Sequence, residues 1–231
     1  MSARPASLLS VTDSLLIAID GPSGSGKSST SRGVAQRLGL AYLDTGSLYR
    51  AAAIAFLESG LEASQADEVA KLVRGARIVP GTDPTNPSIS LDGRDVTDEI
   101  REPRVSAKVS AIATNLAVRE ALTRQFRQII ADHDRRIVVE GRDITTVVAP
   151  DADLRILLVA DPAARIARRQ AELGGAVDTA QVTDQVVRRD RDDATVSQFE
   201  EPAEGVELVD STFLNLDEVI DKICGMVPTH D

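Results

Sequence analysis

A glycine-rich octapeptide near the start of the chain carries residue types suited to phosphate chemistry. Residues 21–28 read Gly-Pro-Ser-Gly-Ser-Gly-Lys-Ser and satisfy the pattern G-x-x-x-x-G-K-[ST]. Glycines let backbone N–H groups approach phosphate oxygens, and the positive end of a following helix dipole faces the same anion. Lys27 can reach the β- and γ-phosphates of a nucleotide, and the Ser28 hydroxyl can bind Mg²⁺. The stretch predicts a nucleotide phosphate site formed by Gly21, Pro22, Ser23, Gly24, Ser25, Gly26, Lys27, Ser28 and Ser29.

The residues on both sides of this phosphate loop (residues 21–28) predict the strand and the helix that the motif needs. Residues 15–20 form an apolar run typical of a buried strand, and residues 29–38 have a helical pattern closed by Gly39. Four more aliphatic runs of strand length follow, with helical patterns between most of them, at residues 40–43, 137–140, 154–159 and 206–209. Strands that are apolar on both faces and alternate with helices indicate a parallel sheet covered on both sides. The predicted fold class is therefore α/β with a five-stranded parallel sheet.

Residues with chemical potential follow three of these strands, at the edge where a parallel sheet binds its ligands. They fall in residues 20–28, 44–50 and 140–143. After the second strand, Thr45 and Arg50 could share an anion at the start of a helix. Arg50 could equally be an ordinary surface arginine.

One stretch interrupts the alternation of strands and helices. Residues 77–97 contain three prolines within eight positions, which excludes a helix there. Ile89 and Leu91 alternate with serines, and Asp92-Gly93 is a typical hairpin turn. We expect a small antiparallel sheet inside an inserted lobe, after which a helix over residues 116–132 returns to the core.

Length, charge and cysteine content limit the classes of protein to consider. The chain has 231 residues and is 42% hydrophobic, which suits one α/β domain with a sizeable core. Its formal net charge of −10 argues against a nucleic-acid or membrane partner. The single cysteine, Cys224, excludes an intramolecular disulfide, and the first 14 residues lack the layout of a signal peptide. We expect a cytoplasmic protein.

Several motifs, in order along the chain, carry a resemblance to one enzyme family. They read Ile-Asp-Gly-Pro-Ser-Gly-Ser-Gly-Lys-Ser at 19–28, Leu-Asp-Thr-Gly-Ser-Leu-Tyr-Arg at 43–50, Val-Arg-Glu-Ala-Leu at 118–122 and Glu-Gly-Arg-Asp-Ile-Thr-Thr-Val-Val at 140–148. Together with the lobe sequence Leu-Asp-Gly-Arg-Asp-Val-Thr-Asp-Glu-Ile-Arg at 91–101, they resemble bacterial cytidylate kinases.

The resemblance implies a P-loop three-layer fold with an inserted lobe for the nucleoside monophosphate (NMP) and a short lid. On this basis we expect a tail over residues 1–14 and a core formed by residues 15–60 and 116–231. The NMP-binding lobe would occupy residues 61–115, and the lid about residues 165–198. Arg165, Arg168 and Arg169 would be cations of that lid, although one or two of them could instead lie on a solvated helix face. The glycine pair 174–175 would suit a hinge for that lid.

The resemblance also implies roles for individual residues. Lys27, Arg169 and Arg189 would act on the transferred phosphoryl group. Mg²⁺ would be held directly by Ser28 and, through water, by Glu140, although Glu140 could instead cap a helix or loop. Arg142 could contact CMP or simply pair with its neighbour Asp143. The residues expected to bind CMP are Thr45, Arg50, Ser110, Arg119, Arg142, Asp143 and Asp193.

The chain departs from the family pattern at three positions. Val196 replaces an arginine, which removes one expected acceptor contact, and Ala194 replaces a serine. Thr145 replaces a glycine, and we expect the last two changes to be neutral.

The resemblance implies ATP-dependent phosphorylation of CMP, and of dCMP, by a monomer that uses Mg²⁺. Two alternatives stay open. A kinase of a small alcohol such as shikimate would need a carboxylate base, for which Asp20 or Asp44 could serve, but the inserted lobe and Arg119 argue against it. A non-catalytic nucleotide-binding module is disfavoured by the intact Lys27 and Ser28.

Overall fold

The computed structural model describes residues 14–172 and 201–228. Its main sheet has five parallel strands in the spatial order β2-β6-β1-β7-β8. Each strand begins and ends within one residue of a predicted aliphatic run. Their bounds are Leu15–Asp20 (β1), Ala41–Asp44 (β2), Arg136–Gly141 (β6), Leu154–Val159 (β7) and Glu207–Asp210 (β8). The prediction of a five-stranded parallel sheet is confirmed.

Strand β1 lies at the centre of this sheet and leads directly into the phosphate loop. Asp20, its last residue, stands opposite Gly141 of β6 on one side and Leu157 of β7 on the other. All six residues of β1 are buried. Because the strands are parallel, the ends of β1, β2 and β6 meet at one edge of the sheet.

Helices cover both faces of the sheet, which gives three layers. Leu16 and Ala18 of β1 pack in a hydrophobic cluster with residues of α2 and α6, whereas Leu15, Ile17 and Ile19 face a second cluster with α1 and α8. This division follows the period of two along a strand. The helices are α1 (Lys27–Leu38), α2 (Thr45–Ser59), α3 (Ala66–Gly75), α4 (Pro103–Ser106), α5 (Val109–Ala113), α6 (Leu116–Asp132), α7 (Pro162–Glu172) and α8 (Leu216–Gly225), with a 3₁₀ turn at Glu99–Arg101 and a π-helix at Ile144–Val148.

The predicted small antiparallel sheet is present and has three strands. They are β3 (Ile78–Pro80), β4 (Ile89–Leu91) and β5 (Arg94–Asp95), in that spatial order. The turn between β4 and β5 uses Asp92 and Gly93, both with positive φ, as a tight hairpin requires. The buried residues of this sheet belong to the same cluster as Leu16 and Leu43 of the main sheet.

The proline-containing loop between β3 and β4 (residues 81–88) returns to the core. The carbonyl oxygen of Pro84 accepts hydrogen bonds from Arg32 Nε at 3.1 Å and Gln36 Nε2 at 3.0 Å, both from α1. The Tyr42 amide donates to the carbonyl oxygen of Thr82 at 2.9 Å. The small sheet is therefore attached to the helix that begins at the phosphate loop.

Several sequence expectations fall outside the described residues. They concern the tail over residues 1–13 and the part of the lid from residue 173, with Gly174, Gly175, Arg189, Asp193, Ala194 and Val196. The backbone of Arg169 belongs to α7, but its side chain is also outside the described part. Among the residues described, none of the helices is long and apolar enough to span a membrane.

Candidate active site

A cleft of about 160 Å³ lies at the carboxyl edge of the main sheet. It is bordered by the phosphate loop, the first turn of α2, the end of β6 and residues of α5 and α6. Of the residues singled out from sequence, the cleft brings together Ser23, Gly24, Gly26, Lys27, Ser28, Ser29, Asp44, Thr45, Arg50, Arg119, Glu140, Arg142 and Asp143.

The phosphate loop is held closely against α7. Gly24 has a φ of +74°, and a Cβ built on it would lie 2.7 Å from the carbonyl oxygen of Arg165. A side chain at this position would therefore be strained both by the backbone conformation and by contact with α7. At the start of α1, Lys27 Nζ donates to the carbonyl oxygen of Pro22 at 3.2 Å, which keeps the ammonium group over the loop.

Two arginines of α7 also contact the loop. Arg165 Nη1 donates to the carbonyl oxygen of Ser23 at 3.0 Å, and Arg168 Nη1 donates to that of Ser25 at 3.3 Å. Arg168 Nη2 donates to the carbonyl oxygen of Ser211, just beyond β8, at 2.6 Å. Arg168, expected among the lid cations, therefore braces the outer side of the phosphate loop against the end of β8.

Glu140 is a buried acid of the cleft, and its pKa is raised. Its side chain is only 2% exposed, and it accepts hydrogen bonds from the Tyr42 hydroxyl at 2.5 Å and from Ser28. Burial, followed by the nearby charge of Asp44, raises the pKa of Glu140 to about 7, against the lowering effect of Lys27 and the two hydroxyl donors. The sequence did not single out Tyr42, although a buried tyrosine hydroxyl needs a partner.

Two of the residues expected to bind the acceptor, Thr45 and Arg50, belong to α2 and line the cleft. Thr45 begins α2, and its hydroxyl donates to the Glu140 carbonyl oxygen at 2.8 Å. Arg50 lies one turn further along and donates to the Ile100 carbonyl oxygen and the Ser106 hydroxyl, each at 3.4 Å. Arg50 is therefore not an isolated surface arginine, because it lines the cleft and its guanidinium group is hydrogen-bonded.

Arg119 of α6 forms an ion pair with Asp143, which follows β6. Both side chains are largely buried, at 15% and 12% exposure, and Arg119 Nη1 also donates to the carbonyl oxygen of Ala113 at 3.1 Å. Ser110 is half-buried on α5 and does not line the cleft, whereas its neighbours Val109 and Ala113 do.

Asp20 and Asp44 differ in their suitability as a base. The buried Asp20 carboxylate accepts three hydrogen bonds, from the amides of Ile144 and Thr145 at 2.9 and 2.8 Å and from the Thr145 hydroxyl at 2.6 Å. It does not line the cleft, so it cannot serve as the base of an alcohol kinase. Asp44 lines the cleft, but its Oδ1 caps α2 by accepting from the Ser47 amide at 3.1 Å. The family pattern has glycine at position 145 and lacks this hydroxyl, whereas in this structure the Thr145 hydroxyl donates a hydrogen bond to Asp20.

Similarity to known proteins identifies the family to which this chain belongs. The family model described as "Cytidylate kinase" matches residues 17–229. The chain belongs to the cytidylate kinase family. Curated cytidylate kinases are similar over nearly the whole chain: the protein of Cutibacterium acnes is 61% identical, covering 94% of this chain and 97% of its own, and that of Rhodococcus opacus is 46% identical, covering 94% and 96%.

A solved structure of low sequence identity to this cytidylate kinase family member shares its fold. The crystal structure of an uncharacterized protein from Eubacterium ventriosum matches with a TM-score of 0.51 at 12% identity, over 94% of this chain and 99% of that chain. Because the identity is so low, this likeness shows the fold alone.

Proposed function

We propose that this protein transfers the γ-phosphoryl group of ATP to CMP, and to dCMP, giving ADP and the corresponding diphosphate. One observation carries the proposal: a single cleft joins an intact phosphate loop to the acceptor-side residues Thr45, Arg50, Arg119 and Asp143, in a chain of the cytidylate kinase family. The cleft therefore has one end for a nucleoside triphosphate and another for a nucleoside monophosphate.

The chemistry requires alignment and charge neutralisation rather than a general base. The attacking group is a phosphate oxygen of CMP, which is largely ionised near neutral pH. Two polyanions must be held in line while negative charge moves between them. Lys27 at the donor end and Arg50 and Arg119 at the acceptor end supply positive charge. Arg169 and Arg189 would add to it from α7 and the lid.

Recognition of cytosine is assigned to polar groups on the acceptor side. The exocyclic amino group of cytosine is a donor, and the Asp143 carboxylate can accept from it. The Arg119 ion pair would hold Asp143 in a fixed orientation for this contact. Arg142 and Asp193 would complete the contacts to CMP, and Ser110 would join them from α5, although it does not line the cleft.

The residues around Glu140 suit Mg²⁺. The Ser28 hydroxyl and the carboxylates of Glu140 and Asp44 offer only oxygen ligands, which a hard cation prefers. Ser28 would bind the ion directly and Glu140 through a water molecule. The bound ion would neutralise charge on the β- and γ-phosphates during transfer. We further propose that the protein acts as a monomer in the cytoplasm, which size-exclusion chromatography with light scattering and cell fractionation would test.

A coupled assay of ADP release tests the proposal. With ATP and Mg²⁺, CMP and dCMP should be good acceptors, while AMP and shikimate should be poor ones. A wrong base would leave buried polar groups of the site unpaired, which can lower kcat/KM by several orders of magnitude. Comparable kcat/KM for CMP and AMP would contradict the cytosine assignment. Turnover of shikimate would favour an alcohol kinase, and no turnover of any acceptor would favour a binding module.

A further inference from the structure

Two buried residues outside the cleft connect the donor and acceptor ends of the site. Asp20 is 2% exposed and Thr145 is 3% exposed, and neither lines the cleft. Thr145 donates to Asp20 Oδ2 twice, through its amide at 2.8 Å and its hydroxyl at 2.6 Å, and the Ile144 amide donates to Asp20 Oδ1 at 2.9 Å. We call these three residues the Asp20 bracket.

On the donor side, the bracket is fixed by the centre of the main sheet. Asp20 pairs with Gly141 and with Leu157 in the two neighbouring strands, and the next residue begins the phosphate loop. The position of the Asp20 carboxylate is therefore set by the same strand that sets the position of the loop.

On the acceptor side, the bracket holds the first turn of the π-helix Ile144–Val148. Asp143 immediately precedes that helix, and its carbonyl oxygen accepts from the amides of Val147 and Val148 at 2.8 and 3.1 Å. The Asp143 side chain is at the same time paired with Arg119 of α6. Asp143 is thus held from α6 through its carboxylate and from β1 through the two residues that follow it.

The other end of the π-helix is held by α6 as well. Arg127 donates from Nε to the Val148 carbonyl oxygen at 3.1 Å and from Nη2 to the Val147 carbonyl oxygen at 2.6 Å. Two turns of α6 separate Arg127 from Arg119, so both arginines lie on one side of the helix. At the start of this segment, the Asp20 bracket adds side-chain hydrogen bonds to the backbone pairing of Asp20 with Gly141, and both contacts hold the segment against β1.

We propose that Asp20 and Thr145 are positioning residues for the nucleotide acceptor: the bracket sets where Asp143 lies relative to the phosphate loop. The inference rests on the proposed function, since it assigns the acceptor to the Asp143 side of the cleft. It gives the Thr145 hydroxyl a role that glycine cannot fill, because the hydroxyl supplies one of the three donors to the buried carboxylate.

Two substitutions at one position separate the hydroxyl from the bulk of the side chain. Thr145→Val keeps the branched shape and removes the donor, whereas Thr145→Ser keeps the donor and removes a methyl group. Thr145 does not touch the nucleotide, so only part of the free energy lost with this hydrogen bond, about 1 kcal/mol, should appear as a rise of about fivefold in the KM for CMP in Thr145→Val. The KM for ATP should stay at the parent value, and Thr145→Ser should restore most of the affinity for CMP.

Three kinetic outcomes would overturn the proposal. The first is a KM for CMP in Thr145→Val that equals the parent value. The second is an equal rise of the KM values for CMP and ATP in that variant. The third is a Thr145→Ser enzyme with the same KM values as Thr145→Val. If the hydroxyl only stabilised the fold, Thr145→Val would have a lower melting temperature, but its KM for CMP would not rise more than its KM for ATP.

Amide hydrogen exchange of residues 144 and 145 in the ligand-free protein tests the bracket without turnover. We expect faster exchange in Thr145→Val than in the parent and Thr145→Ser, and unchanged exchange would overturn the proposal. If the parent does not phosphorylate CMP, the proposed function and the acceptor role fail together. Faster exchange would then establish the bracket only as a structural contact.

Discussion

Replacing Glu140 by glutamine should change how the stability of the protein depends on pH. The parent side chain is a buried carboxyl whose pKa is raised from 4.5 to about 7, chiefly by burial and next by the charge of Asp44. The unfolded chain releases this proton near the lower value, and the folded protein releases it near the higher one. The stability of the parent therefore falls as pH rises through the window between the two.

The size of this effect follows from the two pKa values. A rise from 4.5 to about 7 corresponds to about 3 kcal/mol, at about 1.4 kcal/mol for each tenfold change in acidity. Glu140→Gln has no such proton to lose. Its stability relative to the parent should therefore rise by about 2 to 3 kcal/mol between about pH 5 and about pH 8.

Urea unfolding of both proteins at these two pH values, without nucleotide or Mg²⁺, measures the effect. All other titrating groups are shared, so the difference between the two proteins isolates Glu140. Asp44→Asn is a matched control, because asparagine can still cap α2 but no longer repels the Glu140 charge. In the Asp44→Asn background the pH-dependent difference should shrink. Parallel stability curves for parent and Glu140→Gln would refute the reasoning.

Three further substitutions test the site. Lys27→Ala should lower kcat by about a hundredfold or more, since a phosphate contact made in the transition state is lost. The exposed control Lys222→Ala should keep the parent kcat, and both variants should keep the parent melting temperature. Gly24→Ala should lose more stability than Gly60→Ala on thermal unfolding, because both glycines have similar positive φ but only Gly24 has a close neighbour; equal losses would contradict a tight contact with α7. Tyr42→Phe should destabilise the protein by about 1 to 3 kcal/mol above pH 7, since a buried carboxylate loses a donor; urea unfolding that shows no loss there would count against the Tyr42–Glu140 hydrogen bond.

The main sheet was predictable because its strands are buried on both faces. Each strand is then a short continuous aliphatic run, and the five runs match the five strands of the structure to within one residue. Helix α6 was also predicted with its observed bounds, Leu116–Asp132. The phosphate loop was predictable because its function depends on residues that are consecutive in sequence.

The contacts that support the site could not be derived from local patterns. Tyr42 and Glu140 are 98 residues apart, Asp20 and Thr145 are 125 apart, and Arg168 and Ser211 are 43 apart. Periodicity reports which face of an element is buried, but it does not report which polar groups meet there. Arg168 illustrates the difference, because the family resemblance implied a lid cation, whereas its hydrogen bonds join the phosphate loop to the end of β8.

The attachment of residues 81–88 to α1 has a consequence for how the protein unfolds. The small antiparallel sheet closes one side of the cluster that contains Leu16 and Leu43. If this sheet detached, it would uncover core residues of the main sheet and break the three hydrogen bonds to Thr82 and Pro84. The two sheets should therefore unfold as one cooperative unit, so that a protease cut within residues 81–88 leaves no stable core fragment.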